Sequence, residues 1–412
     1  MASNDHSFHG GWYIQNTTFF RRNLIFLPAL LMDMSTSAAV LGMTFYASKL
    51  GASPLVIGIT ASASTLLYVI FSRIFGRLSD RIGRKRVPQI AALCFSILYF
   101  SMPHCKNLTQ LVILFPFTGL TLSAFWPPFE AWIAELNDGR PLEKRVRMFN
   151  LAWACGVMIG YGTGGYIYEL SYMIPFYFAG VGSFIAVTVV TSQPKPLKQI
   201  VSVEGQSQSD NTELDAQVHL TKKFLYISWT AIFFTWITLG VLRYIFPKLI
   251  SVLEMKPSVF GLLMLVWAGT QFTLFFILGA TKRWHYKFSM LLILQLLGCL
   301  GFVIIYLSNS PIFWAFALML FGLQTGMIYF SSIYYSLHGH ADKGNKSGWH
   351  ECILSSGGFI GPFIGGALAN YINLKAPYVF CAAMVIVGLI LQISLIRSRW
   401  LSSGKDMKYE NN

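Results

Sequence analysis

Charge is what this sequence has least of. Only 12% of its 412 residues are Asp, Glu, Lys or Arg, and just 17 of them are acidic, whereas a soluble domain carries about 25% charged residues. So few charges cannot dress a water-exposed body of this size. The 54% hydrophobic content falls in repeated runs of roughly 20 residues, each enough to cross a hydrocarbon core of about 30 Å. Because the runs recur along the whole chain, a single anchor on a soluble domain is excluded.

Other absences narrow the class further. The six cysteines (Cys94, Cys105, Cys155, Cys299, Cys352, Cys381) lie mostly inside apolar runs, with no CxxC or zinc-like spacing, and read as small core residues. Residues 1–23 are polar, include Arg21 and Arg22, and lack a short apolar core followed by a small-residue cleavage site. No cleaved signal peptide is expected. HExxH and comparable catalytic clusters are missing, so an enzyme is not expected. A basic face on a soluble module, which nucleic-acid binding needs, is also missing. His338, His340 and His350 lie near one another, but no acidic or cysteine ligand completes a metal set at short spacing. We expect no metal and no cofactor.

What is present is a helical membrane pattern. Apolar runs between Pro, Gly and charge punctuation predict helices at 24–48, 54–74, 88–103, 108–132, 148–170 and 172–191, then at 224–248, 258–281, 288–307, 311–337, 347–372 and 376–396. The polar stretch 192–223, with QPKP, SVEGQSQSDN and TKK, is too poor in apolar residues for a core of its own and reads as a flexible linker. The expected organisation is an N-terminal tail (1–23), a six-helix bundle (24–191), the linker (192–223), a second six-helix bundle (224–396) and a C-terminal tail (397–412). With the N-terminus in the cytoplasm, only Lys49, Lys106, Arg243, Lys248, Lys256 and Lys375 fall toward the other side. Cytoplasmic loops carry the positive excess, so both termini are expected in the cytoplasm, and the net charge of +14 follows from topology. An inner (plasma) membrane location and a monomer are expected.

The two halves repeat. Ser53-Pro54-Leu55-Val56-Ile57-Gly58 matches Lys256-Pro257-Ser258-Val259-Phe260-Gly261, Gly119-Leu120 matches Gly322-Leu323, and Gly156, Gly160, Gly164 and Gly165 match Gly357, Gly361, Gly365 and Gly366. Three matches in one order at nearly one offset indicate two pseudo-symmetric bundles, an architecture that places a binding site between the halves near the bilayer midplane.

Between the second and third helices stands Gly76-Arg77-Leu78-Ser79-Asp80-Arg81-Ile82-Gly83-Arg84-Lys85-Arg86-Val87. It resembles, nearly position for position, the signature G-x-L-A/S-D-R-x-G-R-K/R of the major facilitator superfamily. Length, twelve spans, central linker and repeated halves extend the resemblance over essentially the whole chain. The resemblance implies an all-α transporter fold and a gating role for Gly76, Asp80, Arg81, Gly83, Arg84 and Lys85. The glycines permit a short turn. A carboxylate suits the unpaired N–H groups of a helix start, and the family places Asp80's partner at the start of the eleventh helix. Arg84 would continue the network to an acid ending the fourth helix, either Glu130 or Glu135. The equivalent loop of the second half, Gly279-Ala280-Thr281-Lys282-Arg283-Trp284, keeps its positive charge but has lost the acid.

Gly348, Gly357, Gly361, Pro362, Gly365 and Gly366 in the eleventh helix reproduce a glycine-proline pattern that the superfamily's antiporters carry in the fifth helix. The fifth helix here has Tyr161 in place of the proline and Arg147 in place of the first glycine. Small residues at this spacing let another helix approach closely. Export is the preferred direction.

Three acids sit well inside predicted spans: Asp33, Glu130 and Glu351. Burying a carboxylate costs about 2.5–3.5 kcal/mol on insertion scales, which makes each a functional candidate. Asp33, about ten residues from the cytoplasmic end, is the preferred proton site, since first helices line the cavity in this family. Glu130 and Glu351 read either as proton sites or as gating partners of Arg73, Arg77 or Arg147. Arg243 either snorkels outward or meets an anionic group of a substrate. Trp126 of the fourth helix, Trp267 and Gln271 of the eighth, and Gln324, Tyr329, Ser331, Ser332, Tyr334 and Tyr335 of the tenth offer aromatic and hydrogen-bonding groups suited to a sugar-like or an amphipathic drug-like ligand. The expected partners are therefore a small-molecule substrate, protons and the lipid bilayer. Uptake of a sugar or other nutrient and a non-transporting sensor are the alternatives, although neither the tails nor the linker supplies a signalling domain.

Overall fold

The computed structural model describes residues 23–136, 138–194, 211–337 and 343–398. The expected N-terminal tail up to residue 22, linker residues 195–210, His338, His340 and the C-terminal residues from 399 on lie outside the described residues.

Among the described residues, twelve long helical spans follow one another: α1 Leu24–Lys49, α2 Pro54–Ile82, α3 Arg86–His104, α4 Leu108–Glu135, α5 Leu142–Leu170, α6 Ile174–Ser192, α7 His219–Val252, α8 Pro257–Ala280, α9 Phe288–Leu307, α10 Pro311–Leu337, α11 Lys343–Tyr371 and α12 Ala376–Arg397. Proline opens several of them, including Pro54, Pro257 and Pro377, because its missing N–H is an orphan at a helix start anyway. α4 breaks after Leu114 at Phe115-Pro116, and α7 breaks at Ile245 ahead of Pro247. Both breaks follow from a proline that removes a donor and crowds the preceding turn.

Four boundaries differ most from the expectation, each because a helix outlasts its apolar run. α2 continues through the signature to Ile82 and leaves only Gly83-Arg84-Lys85 as the turn. α5 starts at Leu142 and α11 at Lys343. Helix preceding α7 begins at Asn211, so the second part of the expected linker is helical. A helix satisfies its own backbone and needs no apolar face once it has left the lipid.

All the spans but α5 are long and apolar enough to cross a membrane. α5 falls short because Asn150, Gly156, Gly160, Tyr161, Gly162, Gly164, Gly165, Tyr166 and Tyr168 dilute its apolar content. Its glycines face other helices. A methyl on Gly156 would stand 2.2 Å from the Leu30 carbonyl oxygen, and one on Gly165 would stand 2.5 Å from that of Pro257.

Within the first half α1 packs on α5 and α6, α2 on α4, and α3 on α4 and α6; the second half repeats this with α7 on α11 and α12, α8 on α10, and α9 on α10 and α12. Between the halves, α2 meets α11 and α5 meets α8. Even the turns repeat, since the left-handed residues Gly51 (φ 83°) and Gly83 (φ 113°) recur, at one sequence offset, as Glu254 (φ 56°) and Tyr286 (φ 56°). The outer surface carries Ile70, Ile74, Leu307, Ile312 and Ile390, all at least half exposed, as helices facing lipid require.

Candidate functional site

A cavity of about 220 Å³ lies between the halves, lined by α1, α2, α4 and α5 on one side and α7, α10 and α11 on the other. Asp33, Glu130 and Glu351 all face it. One helical face supplies each group of lining residues: Asp33, Thr36, Ser37 and Val40 from α1, and Trp236, Leu239, Gly240 and Arg243 from α7. Both sets follow the i, i+3, i+4, i+7 spacing of a helix stripe.

The three acids differ in their company. Among the described residues, Asp33 and Glu130 have neither a hydrogen bond nor an ion pair. Glu351 Oε2 accepts from Tyr68 Oη at 3.1 Å, a bond that joins α11 to α2 across the two halves. Its Oε1 lies 3.8 Å from His350 Nε2. His350 is fully buried, its Nδ1 paired with Ser332 Oγ at 2.8 Å and its Nε2 without a hydrogen-bond partner. Among the described residues no group of His, Cys, Asp and Glu is arranged to hold a metal ion.

The expectation of rim ion pairs for Glu130 and Glu351 is not what the structure shows. Arg73 and Arg77 are exposed, and Arg147 reaches the Gly279 carbonyl oxygen at 3.4 Å and the Phe276 ring at 5.7 Å. Both acids instead face the cavity. Arg243 lines the cavity beside Asp33, with its guanidinium 5.6 Å from the Trp267 ring centroid and its Nε buried without a hydrogen bond.

Of the expected substrate-facing side chains, Trp126, Arg243 and Tyr329 line the cavity. Trp267, Gln271 and Gln324 do not. Trp267 Nε1 donates to Thr325 Oγ1 at 3.0 Å, Gln324 Nε2 donates to Thr235 Oγ1 at 3.2 Å, and Gln271 is buried where α8 crosses Gly326 of α10. Trp267 and Gln324 thus each use a donor within the protein, while Gln324 Oε1 is buried without a hydrogen-bond partner. Ser331 and Ser332 likewise bond within the protein, and Tyr334 and Tyr335 join an aromatic cluster around Trp284.

The aromatic wall comes instead from Trp126, Phe149, Trp153 and Trp236 around Tyr329. Trp236 stacks on Tyr329 at 5.6 Å, and Trp153 meets it edge-on at 5.1 Å. Sequence reasoning missed Tyr68, Trp153 and Trp236. Trp236 was within reach, standing seven residues before Arg243 on the same helix face.

The signature residues gather on the side where α1 begins and α12 ends. Arg84 Nη1 binds Asp80 at 2.6 Å, its Nη2 binds Glu135 at 2.8 Å, and its Nη1 also donates to Ser79 Oγ at 2.8 Å. Of the two acids weighed for Arg84, Glu135 holds it. Asp80 therefore turns to Arg84 here rather than to the start of α11. Lys85 Nζ donates to the carbonyls of Thr191, at 2.7 Å, and Gln193 at the end of α6. Gly76 faces Pro127 of α4, Gly83 supplies the positive φ of the turn, and Arg81 is exposed.

The glycine stripe of α11 is a packing surface. A methyl on Gly357 or Gly361 would stand 2.3 or 2.0 Å from the Phe233 or Ile237 carbonyl oxygen of α7. Gly365 faces Val241, and Gly366 faces Pro54 and Gly58 of α2. Gly348 has open space around it and plays no part in the contact. Pro362 presents its carbonyl to Gly58, just as Tyr161 presents its own to Gly261 on the repeat-related pair α5 and α8.

A two-fold repeated helical body with an aromatic-walled cavity holding three carboxylates at the junction of its halves defines a solute transporter. A profile of the Major Facilitator Superfamily matches residues 25–348, and the chain belongs to that family, as a multi-pass membrane protein rather than an enzyme. The Quinolone resistance protein NorA of Staphylococcus aureus is 24% identical over 379 residues, covering 89% of this chain and 94% of the relative. Multidrug resistance protein 1 of Bacillus subtilis is 24% identical over 362 residues, covering 84% and 89%. Among solved structures, the nucleoside transporter NupG superposes with a TM-score of 0.68 at 13% identity over 92% of this chain and 99% of its own. The human organic anion transporter MFSD10 gives 0.64 at 14% identity over 90% and 99%.

Proposed function

We propose that the protein exports a small amphipathic organic solute in exchange for protons, by alternating access of the central cavity. The observation that carries this reading is the convergence of Asp33, Glu130 and Glu351 on one cavity walled by tryptophans. Carboxylates held inside a membrane protein are retained for a use, and aromatic walls suit a ligand with a flat apolar body. Asp33 and Glu130 stand without partners, which leaves them free to exchange a proton or meet a ligand. Export is supported by relatives named for quinolone and multidrug resistance. An inner (plasma) membrane setting with both termini in the cytoplasm is supported by the basic residues gathered around Arg77–Arg86 and Arg140–Arg147. A monomer suffices, since the cavity is complete within one chain.

The test is uptake of a fluorescent quinolone into inverted vesicles carrying the purified protein under an imposed pH gradient, acid inside. Accumulation that collapses when a protonophore dissipates the gradient is expected. Equal uptake with and without the gradient would refute proton coupling, and accumulation only in right-side-out vesicles would refute export.

A further inference from the structure

The repeated helix starts of α2 and α8 are finished in different ways. Ahead of α2, Ser53 Oγ accepts the Val56 N–H at 3.3 Å, so that helix caps itself. The repeat-related position ahead of α8 is Lys256. Its backbone (φ −64°, ψ 142°) nearly equals that of Ser53 (φ −71°, ψ 160°), but it makes no side-chain cap, because an ammonium has no acceptor. The acceptor comes from the other half. Glu169 Oε1, in the last turn of α5, takes the Ser258 N–H at 2.8 Å. Beneath this bond the two helices touch backbone to backbone. Methyls on Gly165 and Gly261 would each stand 2.5 Å from a carbonyl oxygen, of Pro257 and of Tyr161.

We infer that Glu169 is a positioning residue of the transport cycle: a carboxylate latch that holds the two halves together on the face opposite the start of α1 and the end of α12, in the state this structure represents. A local cap belongs to one helix and survives any motion of the halves. A cap donated across the interface exists only while that face is shut, so replacing serine by lysine at position 256 converts helix completion into inter-half attraction. The unpaired N–H groups and dipole of the α8 start favour a carboxylate. The side chain is exposed, so the bond biases the equilibrium severalfold rather than locking it, as a face that must reopen every cycle requires. This inference rests on the movement of two halves and is independent of the solute and of the coupling ion.

The test measures the far face directly. Spin labels are placed on cysteines replacing Lys106 in the first half and Ile372 in the second, both exposed at that face, in a background without the native cysteines. Glu169→Ala is expected to raise the long-distance, far-side-open population by about threefold to tenfold, and Glu169→Gln, which keeps an accepting oxygen without the charge, by less. The decisive variant combines Glu169→Ala with Lys256→Ser, which returns a local cap to α8. A latch predicts that melting temperature recovers in this variant while the long-distance population persists. A return of the distances to those of the parent would mean that the carboxylate only completes a helix, and would overturn the inference. So would unchanged distances in Glu169→Ala. Should the alanine variant misfold, Glu169→Gln and the double variant carry the comparison.

Discussion

The turn between α2 and α3, residues 83–85, and its longer repeat between α8 and α9, residues 281–287, have opposite fastenings. Both place a residue with positive φ at the equivalent point, Gly83 and Tyr286. The first turn is tied by ions: Arg84 to Asp80 and Glu135, and Lys85 to the end of α6. The second is tied by rings. Trp284 Nε1 donates to the Leu278 carbonyl at 3.0 Å, the Tyr286 N–H donates to Tyr335 Oη at 2.8 Å, and Tyr286 Oη pairs with Thr221 Oγ1 at 2.9 Å. Trp284 also meets Phe330, Tyr334 and Tyr335 at 5.6, 5.1 and 6.0 Å. Exposed ion pairs are weak, screened and quickly remade, whereas buried rings are strong and indifferent to salt. One half therefore carries an ionic clasp open to solvent and the other a buried aromatic one.

The comparison breaks most visibly at Trp284. It is 2% exposed, and Trp284→Ala is expected to destabilise the second half by about 3–5 kcal/mol, read as a lowered melting temperature in detergent at any ionic strength. A drop that depends on salt would show the second clasp to be ionic after all. Glu135→Gln should do the reverse, costing under about 1 kcal/mol of stability, because Arg84 and Glu135 are 20% and 41% exposed. It should nonetheless slow transport severalfold. High salt should slow the parent protein in the same way and leave the variant unaffected. A variant that transports at the parental rate would take this clasp out of the cycle.

The smallest effect concerns Asp138, in the turn between α4 and α5. Burial alone would raise its pKa. Hydrogen bonds from the Arg140 side chain and backbone, the charge of Arg140, and Arg145 at 3.9 Å outweigh burial and hold the carboxyl below its ordinary value of 3.8. A depressed folded pKa contributes stability above the unfolded value and loses it as pH falls through the folded one. Melting temperature scanned from pH 6 down to pH 3 should therefore fall more gently in Asp138→Asn than in the parent, the two converging at the acid end. Parallel curves would remove Asp138 from the acid response.

How far the sequence carries is visible in the same residues. Apolar runs and the repeated Pro and Gly positions made the spans and the two halves legible, since lipid imposes both length and apolarity on a helix. The three acids were legible because each is anomalous in its run. Most of the cavity wall was not. Trp153 and Trp236 look like any membrane aromatic until the pairing of α5 and α7 around Tyr329 is known, and Gln271 and Gln324 look like ligand groups until α8 and α10 are seen to use them for packing. Polarity marks a residue that needs a partner, but only the fold says whether that partner is protein or solute. That Glu130 and Glu351 face the cavity was hidden for a related reason, since an apolar run does not say which way a side chain on it points.

We propose that Asp33 carries the coupled proton, and one paired measurement bears on it most directly. Purified Asp33→Asn, a neutral side chain of similar shape, is reconstituted and assayed for pH-driven accumulation and for solute–solute counterflow in the same preparation. The account predicts that accumulation fails while counterflow survives, because exchange without net proton movement needs the cavity but not the charge. Accumulation at the parental level in Asp33→Asn would contradict it and move the proton to Glu130 or Glu351.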